Sequence, residues 1–307
     1  MSTTAPTLAG RMLCASGLAY SIPDLDTPIN PPNNNILQTA PYYAGAGYST
    51  PPTMIANDVE DTNAACTVGM NPDGIVLAFR GTVYTSITDW INDLLLGMVT
   101  VNGIAGEVHD GFNNAVVAII NPIITTIQQL QAANPGASLY ITGHSKGAGM
   151  APIAAAYLAN SGITATGLYL FAPPLPGNAD FANAFNTTFP DTYLYENYQD
   201  IVPVLPPSAS TAGGLDVAFI ELGTDEALAA AAAITAMGFL GYQAVGSLSN
   251  TFYIPQPVGT VYSLVPMTNL LVIEQLEAIN AAIIAGDYQV FENAHDHDCG
   301  FGYMSAI

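Results

Sequence analysis

Residues 138–159 read SLYITGHSKGAGMAPIAAAYLA, and this stretch decides the fold. Its first five residues, Ser138–Thr142, predict a strand, and the small residues of 147–159 predict a helix that packs closely on a sheet. Between them lies Gly143-His-Ser145-Lys-Gly147, which fits the pattern G-x-S-x-G. In this pattern the serine occupies a strained, tight turn at the carboxyl end of a strand, and the glycines let strand and helix backbones pass close together. The stretch therefore predicts a strand, a tight turn and a helix that present the hydroxyl of Ser145.

Strands and helices alternate on both sides of this stretch. The run GIVLAF at Gly74–Phe79 is continuously apolar, as expected for a central strand that is buried on both faces. A helix is predicted over 113–132, where apolar residues recur at three- and four-residue spacing, and further strands at Gly167–Phe171 and Thr192–Tyr195. The alternation predicts an α/β fold with a mostly parallel central sheet and helices on both of its faces.

The composition limits the domain count and the partners. The chain has 307 residues, half of them hydrophobic, which is enough for a single domain over 1–307. It has 24 acidic residues and 3 basic ones, so no cationic surface is available for nucleic acid. Three cysteines, Cys14, Cys66 and Cys299, are an odd number spread over the whole chain, and no disulfide is required.

One stretch, Ala227–Val245, approaches the length that spans a bilayer. It consists mostly of Ala and Gly, no Lys or Arg flanks it, and Thr224 before it is a suitable N-cap. We interpret it as a buried or surface-capping helix, and we expect no transmembrane span. The first twenty residues have no basic region followed by an apolar run, so no signal peptide is visible. We expect a soluble protein, cytoplasmic or secreted.

A serine in such a turn is inert without a histidine base that a carboxylate holds in place. Along the chain the order in this kind of fold is Ser, then Asp or Glu, then His, which leaves His295 or His297 as the base. The carboxylate should follow a strand, as Asp200 does after Thr192–Tyr195. The alternation His295-Asp-His297-Asp is also compatible with a metal site, but a second ligand motif is lacking. We expect neither a metal nor a cofactor, because acyl transfer through serine needs none.

Five motifs, in order along the chain, resemble those of the class 3 lipases, the fungal-type triacylglycerol lipases. They are Phe79-Arg-Gly-Thr82, the segment Ser86-Ile-Thr-Asp-Trp-Ile-Asn-Asp-Leu94, Val108-His-Asp-Gly-Phe112, Gly177-Asn178 and Asn197-Tyr-Gln-Asp-Ile-Val-Pro-Val-Leu-Pro-Pro207. The resemblance covers most of the chain and implies an α/β-hydrolase fold with a helical lid.

The resemblance also implies roles for particular residues. Ser145, Asp200 and His295 would form the catalytic triad, with His295 preferred over His297 because Tyr303 is then the aromatic residue that follows the family's histidine. Backbone N–H groups of Thr82 and Lys146 would form the oxyanion hole, although Lys146 departs from the aliphatic residue usual in the family. The lid helix would present its apolar residues to substrate: Ile87, Trp90, Ile91 and Leu94. The same spacing also fits a fixed core helix.

The segment at about 213–264 is longer than in a minimal family member. We expect a serine hydrolase that cleaves carboxylic esters of lipids through an acyl-enzyme, with a lipid or other ester as substrate and a transient contact with a lipid surface. An esterase for polar esters of the feruloyl type on the same fold is the alternative. A protein without catalytic activity fits less well, because all three triad residues are present.

Overall fold

The computed structural model describes residues 4–22, 37–38, 40–57, 63–82, 97–256, 261–296 and 303–307. The segment expected to form the lid, with Ile87, Trp90, Ile91 and Leu94, lies outside the described residues, and so does His297. The described α-helices are α1 (Leu8–Ala19), α2 (Tyr43–Ala46), α3 (Asp110–Ala133), α4 (Lys146–Asn160), α5 (Ala179–Thr188), α6 (Ala209–Leu222), α7 (Asp225–Gly238), α8 (Asn269–Ala285) and α9 (Gln289–His295).

Twelve strands are assigned within the same residues. They are β1 (Thr53–Asn57), β2 (Ala64–Asn71), β3 (Gly74–Phe79), β4 (Met98–Thr100), β5 (Glu107–His109), β6 (Leu139–His144), β7 (Gly167–Phe171), β8 (Gly177–Asn178), β9 (Thr192–Asn197), β10 (Tyr242–Gln243), β11 (Thr251–Ile254) and β12 (Val265–Pro266). The chain divides into two compact units: the first comprises Met1–Val83, Gly111–Phe171 and Ile307, and the second Tyr84–Asp110 and Ala172–Ala306.

In the first unit the strand order is β1-β2-β3-β6-β7. The outer strands β1 and β2 are antiparallel, whereas β3, β6 and β7 run parallel, with Phe79 opposite Gly143 and His144 opposite Phe171. Every residue of β3 is buried, as its apolar run predicts. The predicted bounds of β3 and β7 are confirmed, and β6 continues two residues beyond the predicted end at Thr142 because its ladder to β7 includes Gly143 and His144.

The helices of the first unit pack on these strands and on one another. Helix α1 contacts β3 and β6, and α4 contacts β6 and β7. Helix α3 buries an apolar stripe that begins at Phe112, whose ring lies against Gly149 of α4, and Asn113 accepts a hydrogen bond of 2.9 Å from the Tyr157 hydroxyl. Among the described helices, α3 alone is long and apolar enough to cross a membrane. Of its most apolar stretch of 18 residues, 33% is buried.

The second unit contains a parallel pair of strands and a small antiparallel sheet. Strand β11 pairs parallel with β9 and antiparallel with β12, while the order of the small sheet is β10-β8-β5-β4. Helix α6 packs against both α7 and α8. The Ala-rich stretch does not form one long helix: Thr224 caps α7 as predicted, the 14 residues of α7 end at Gly238, and Tyr242–Gln243 form β10.

Candidate active site

Ser145 occupies the predicted turn between β6 and α4. Its φ of 58° and ψ of −133° form a strained backbone conformation that is rare for any residue with a side chain. A Cβ atom at position 147 would lie 2.5 Å from the carbonyl oxygen of Phe79, and one at position 143 would strike the backbone of Gly147. Both positions therefore require glycine. The sequence folds in this way because only glycine lets β3, β6 and α4 approach so closely around the serine.

The hydroxyl of Ser145 is buried, and among the described residues its Oγ atom has no hydrogen-bond partner. A buried hydroxyl without a partner is uncommon and costs free energy, so it calls for an explanation such as a catalytic role. The backbone N–H of Ser145 donates to the carbonyl of Phe171 at 3.0 Å, which ties the turn to the end of β7. Contacts with the sheet thus stabilise the strained conformation of the turn.

The segment that carries Thr82 packs against the turn. A Cβ atom at position 81 would lie 2.7 Å from the carbonyl oxygen of His144 and would also strike the Tyr20 hydroxyl. That hydroxyl shares a hydrogen bond of 2.9 Å with Nδ1 of His144. Thr82 and Lys146 are both half-buried, and Lys146 is the first residue of α4. The first unit therefore brings together the two segments expected to supply the oxyanion-hole donors.

Asp200 and His295 are brought together in the second unit. Nδ1 of His295, at the end of α9, lies 3.0 Å from Oδ1 and 3.1 Å from Oδ2 of Asp200. Both side chains are almost completely buried, at 2% and 0% exposure. The carboxylate follows β9, where the end of a strand was expected to place it. A carboxylate on Nδ1 directs the Nε2 lone pair of a neutral imidazole toward the proton that the base must accept.

Two further groups hold the carboxylate of Asp200. The backbone N–H of Val202 donates to Oδ1 at 3.0 Å, and the hydroxyl of Tyr303 donates to Oδ2 at 2.6 Å. Burial, followed by the negative charge of Asp200, raises the pKa of Tyr303 well above its usual value of 10.0, so this hydroxyl stays protonated and remains a donor. Asn197 donates to the carbonyl of Ala294 at 2.8 Å and thereby fixes the residue before His295.

Sequence reasoning missed two contributions near this pair. Tyr303 served only as an aromatic landmark, although it bonds directly to Asp200. Glu196, four residues earlier on β9, is a half-buried carboxyl whose pKa rises to about 7, chiefly through burial. A hydrogen bond from Gln275 opposes this rise, and the charge of Asp200 adds to it. The signal in the sequence was a carboxylate within the strand TYLYEN, one residue before its end.

The other two described histidines have structural contacts. His109 is buried in β5 with its ring 5.9 Å from that of Tyr242, and His144 is bonded to Tyr20. Within the described residues no group of three or more His, Cys, Asp or Glu side chains could hold a metal ion. The alternating His-Asp cluster itself extends beyond the described residues at His297.

Residues 76–210 match the family model of class 3 lipases. A secreted mono- and diacylglycerol lipase of Fusarium solani is 34% identical over 134 residues, which are 43% of this chain and 39% of that protein. A lipase of Rhizomucor miehei is 32% identical over 156 residues, 49% of this chain and 42% of that protein. The matched part of the chain thus spans about two fifths of the length of these curated relatives. The family match contains Thr82, Ser145 and Asp200, whereas His295 lies beyond it.

A solved triacylglycerol lipase, described as having a catalytic centre formed by a serine protease triad, aligns over 81% of this chain and 78% of its own. The TM-score is 0.55 at 21% identity. Similarity at this identity concerns the fold, which is that of the α/β-hydrolases with a mostly parallel central sheet.

Proposed function

Residues 76–210 relate this chain to the class 3 lipases, and from that relationship we propose that it is a serine hydrolase that cleaves the carboxylic esters of lipids. The observation that carries the proposal is the strained Ser145 between β6 and α4, at the centre of the matched segment. Asp200 and His295 would complete the triad. For proton transfer, Oγ of Ser145 and Nε2 of His295 must approach to about 2.6–3.2 Å, in the free enzyme or once substrate binds.

The reaction follows from these groups. Nε2 of His295 takes the proton of the Ser145 hydroxyl as Oγ attacks the ester carbonyl, and Asp200 stabilises the resulting imidazolium through Nδ1. Collapse of the tetrahedral intermediate breaks the bond to the alkoxy group, which receives the proton from His295 and leaves as the alcohol. Water, activated by the same histidine, then attacks the acyl-serine, and a fatty acid and free Ser145 result.

Backbone N–H groups of Thr82 and Lys146 would stabilise the oxyanion. Such donors act where negative charge develops, and the loss of one costs about 3 kcal/mol of barrier. Because the backbone carries this role, the charge of Lys146 is not needed, and its long stem lets the ammonium group reach solvent.

A lipid substrate is supported by the names of the two curated relatives, one a mono- and diacylglycerol lipase and the other a lipase. Neither name points to polar esters of the feruloyl type. The name of the Fusarium relative describes it as secreted, and we extend this location to the present chain as part of the proposal. The proposal also includes a lid that opens at a lipid surface and presents Ile87, Trp90, Ile91 and Leu94.

Ser145→Ala tests the mechanism. Hydrolysis of p-nitrophenyl esters and of emulsified triglyceride should fall by about four orders of magnitude, since triad members act as a unit. Ser161→Ala, at an exposed position after α4, should leave the rate unchanged. His295→Ala should be as severe as Ser145→Ala, and His297→Ala much milder. If Ser145→Ala keeps about a tenth of the rate, the serine mechanism is wrong, and if His297→Ala is the inactive variant, the base is misassigned.

A further inference from the structure

A cavity of about 630 Å³ lies wholly within the second unit. This volume is within the range of about 300–1,000 Å³ that is usual for small-molecule sites. Its walls come from β9, from the start of α6, from the loop around β10 and from α8. The side chains that make it apolar are Leu175, Leu194, Val204, Val245, Met267 and Val272. None of the described residues that line it is Asp200, His295 or Tyr303, although Glu196 lies close enough to Asp200 for its pKa to respond to that charge.

Glu196 is the one charged side chain of the described lining. It lines the cavity from β9, on the same face of the strand as Leu194 because side chains alternate along a strand. Gln275 of α8 also lines it, is buried, and donates both to the carbonyl of Asn197 at 3.4 Å and to Glu196. The described lining contains no Lys, Arg or His side chain that would neutralise an anionic ligand.

The exposed part of the lining is of mixed polarity. It combines Ala209, Ala244 and Leu248 with Ser210, Gln243 and Ser247. The apolar side chains of the interior favour a ligand with a hydrocarbon chain. The carboxylate of Glu196 favours a head group that donates a hydrogen bond and carries no negative charge.

We propose that this cavity binds a single-chain lipid with an uncharged hydroxyl head group, such as a monoalkyl- or monoacylglycerol. The hydrocarbon chain lies along the wall formed by Leu194, Val245 and Val272, and a hydroxyl of the head group donates to the carboxylate of Glu196. Above the pKa of Glu196 a fatty-acid anion is disfavoured, because its carboxylate would lie beside that of Glu196 without a cation. The site does not depend on the chemistry proposed for Ser145.

Calorimetric titration of the Ser145→Ala protein with decyl glycerol ether, which contains no ester, tests the site. The measurement is made at about pH 8.5, above the pKa of Glu196, so that its carboxyl is ionised. The groups that face it electrostatically, Asp200, Tyr253 and Tyr303, are the same in every variant. The ether should bind, and decanoate should bind at least about tenfold more weakly. Equal affinity for ether and decanoate would overturn the head-group assignment.

Two substitutions locate the ligand. Ala244→Trp places an indole at an exposed position of the lining and should abolish binding of the ether, whereas Ala229→Trp, on the exposed face of α7, should leave it unchanged. Glu196→Gln should weaken the ether about fivefold and bring decanoate close to it, because a charged acceptor is replaced by a neutral one. If Ala244→Trp folds normally and still binds the ether as before, the ligand lies elsewhere and the inference fails. Esterase activity is not measured, so this failure would leave the proposed function untouched.

Discussion

The carboxylate of Asp200 accepts hydrogen bonds from three different donors: an imidazole, a backbone N–H and the hydroxyl of Tyr303. It is fully buried, so each donor helps to compensate the loss of water around a charge. The donors also fix its orientation, which in turn fixes the plane of the His295 ring. Changes at this carboxylate should therefore act chiefly on the orientation of His295, the proposed base.

Tyr303→Phe removes one of these donors and keeps the ring. We expect kcat to fall about tenfold with little change in KM, since a hydrogen bond to a charged group is worth about 1.5–3 kcal/mol and Tyr303 acts through Asp200. The free energy of unfolding should fall by a similar amount. Steady-state kinetics and urea denaturation measure both. Tyr288→Phe, in the same unit and with its ring against that of Phe291, is the control, and equal effects of the two variants would argue against the positioning role of Tyr303.

The carboxyl of Glu196 predicts an unusual dependence of stability on pH. Its pKa rises from 4.5 to about 7 on folding, chiefly through burial, so between these values the folded chain holds a proton that the unfolded chain has lost. The contribution of this group to stability is therefore present below about pH 4.5 and is lost as pH rises toward about 7.

Glu196→Gln removes that titration. From pH 5 to pH 8 the free energy of unfolding of the variant should rise relative to wild type by about 2–3 kcal/mol, the equivalent of the pKa shift. Urea denaturation of both proteins at several pH values measures the difference, in which all other titrating groups cancel. A difference that stays constant across this range would contradict the raised pKa.

At the level of strands and helices, the local sequence predicts those elements whose bounds are set by residues adjacent in the chain. The apolar runs at Gly74–Phe79 and Gly167–Phe171 have the bounds that the structure assigns. A strand that is buried on both faces is continuously apolar, so its own residues are enough to identify it. The end of β6 does not follow from its own residues, since Gly143 is strand through its pairing with β3 and β7, and His144 through its pairing with β7.

Long-range contacts explain the remaining differences. The Ala-rich stretch ends as a helix at Gly238 because Tyr242–Gln243 pair with β8, which lies far earlier in the sequence. The pairing of Asp200 with His295 was predictable from the rule that a triad carboxylate follows a strand. The bond from Tyr303 to Asp200 spans 103 residues and leaves no local pattern. A single sequence therefore predicts the pairing of Asp200 with a histidine more readily than the further groups that hold the pair.

Gly147→Ala tests the junction of β3, β6 and α4. The added Cβ atom would lie 2.5 Å from the Phe79 carbonyl oxygen, so the turn at Ser145 or the segment leading to Thr82 must move. We expect kcat to fall about a hundredfold or more, the usual cost of a displacement of about 1 Å at reacting groups. Gly213→Ala, in α6 with open space around it, is the control and should raise the free energy of unfolding by about 0.5–1 kcal/mol. Wild-type kcat in Gly147→Ala would mean that the close approach is not needed for activity.

At the scale of the whole molecule, charge and exposed apolar residues act together. The net charge is −21, with only 3 basic residues in the chain. Helix α7 and its C-cap residue Phe239 nevertheless present uncharged residues to solvent at helical spacing. These are Leu228, Ala232, Thr235 and Phe239, and the last of them is 86% exposed. Such a surface favours contact with an uncharged lipid phase and opposes contact with an anionic one.

The charge therefore predicts which lipid surfaces support turnover. Hydrolysis of triglyceride droplets coated with a zwitterionic surfactant should exceed that of droplets coated with an anionic one by about tenfold at low salt, because the acidic chain is repelled before it adsorbs. Raising the ionic strength to about 0.5 M should reduce the gap, since the screening length falls below about 5 Å. The control is a short, soluble p-nitrophenyl ester without surfactant, whose hydrolysis needs no adsorption and should hardly respond to salt. Equal rates on the two kinds of droplet at low salt would mean that charge does not govern adsorption, and the uncharged face of α7 together with the lid proposed around Trp90 would then have to account for binding to both.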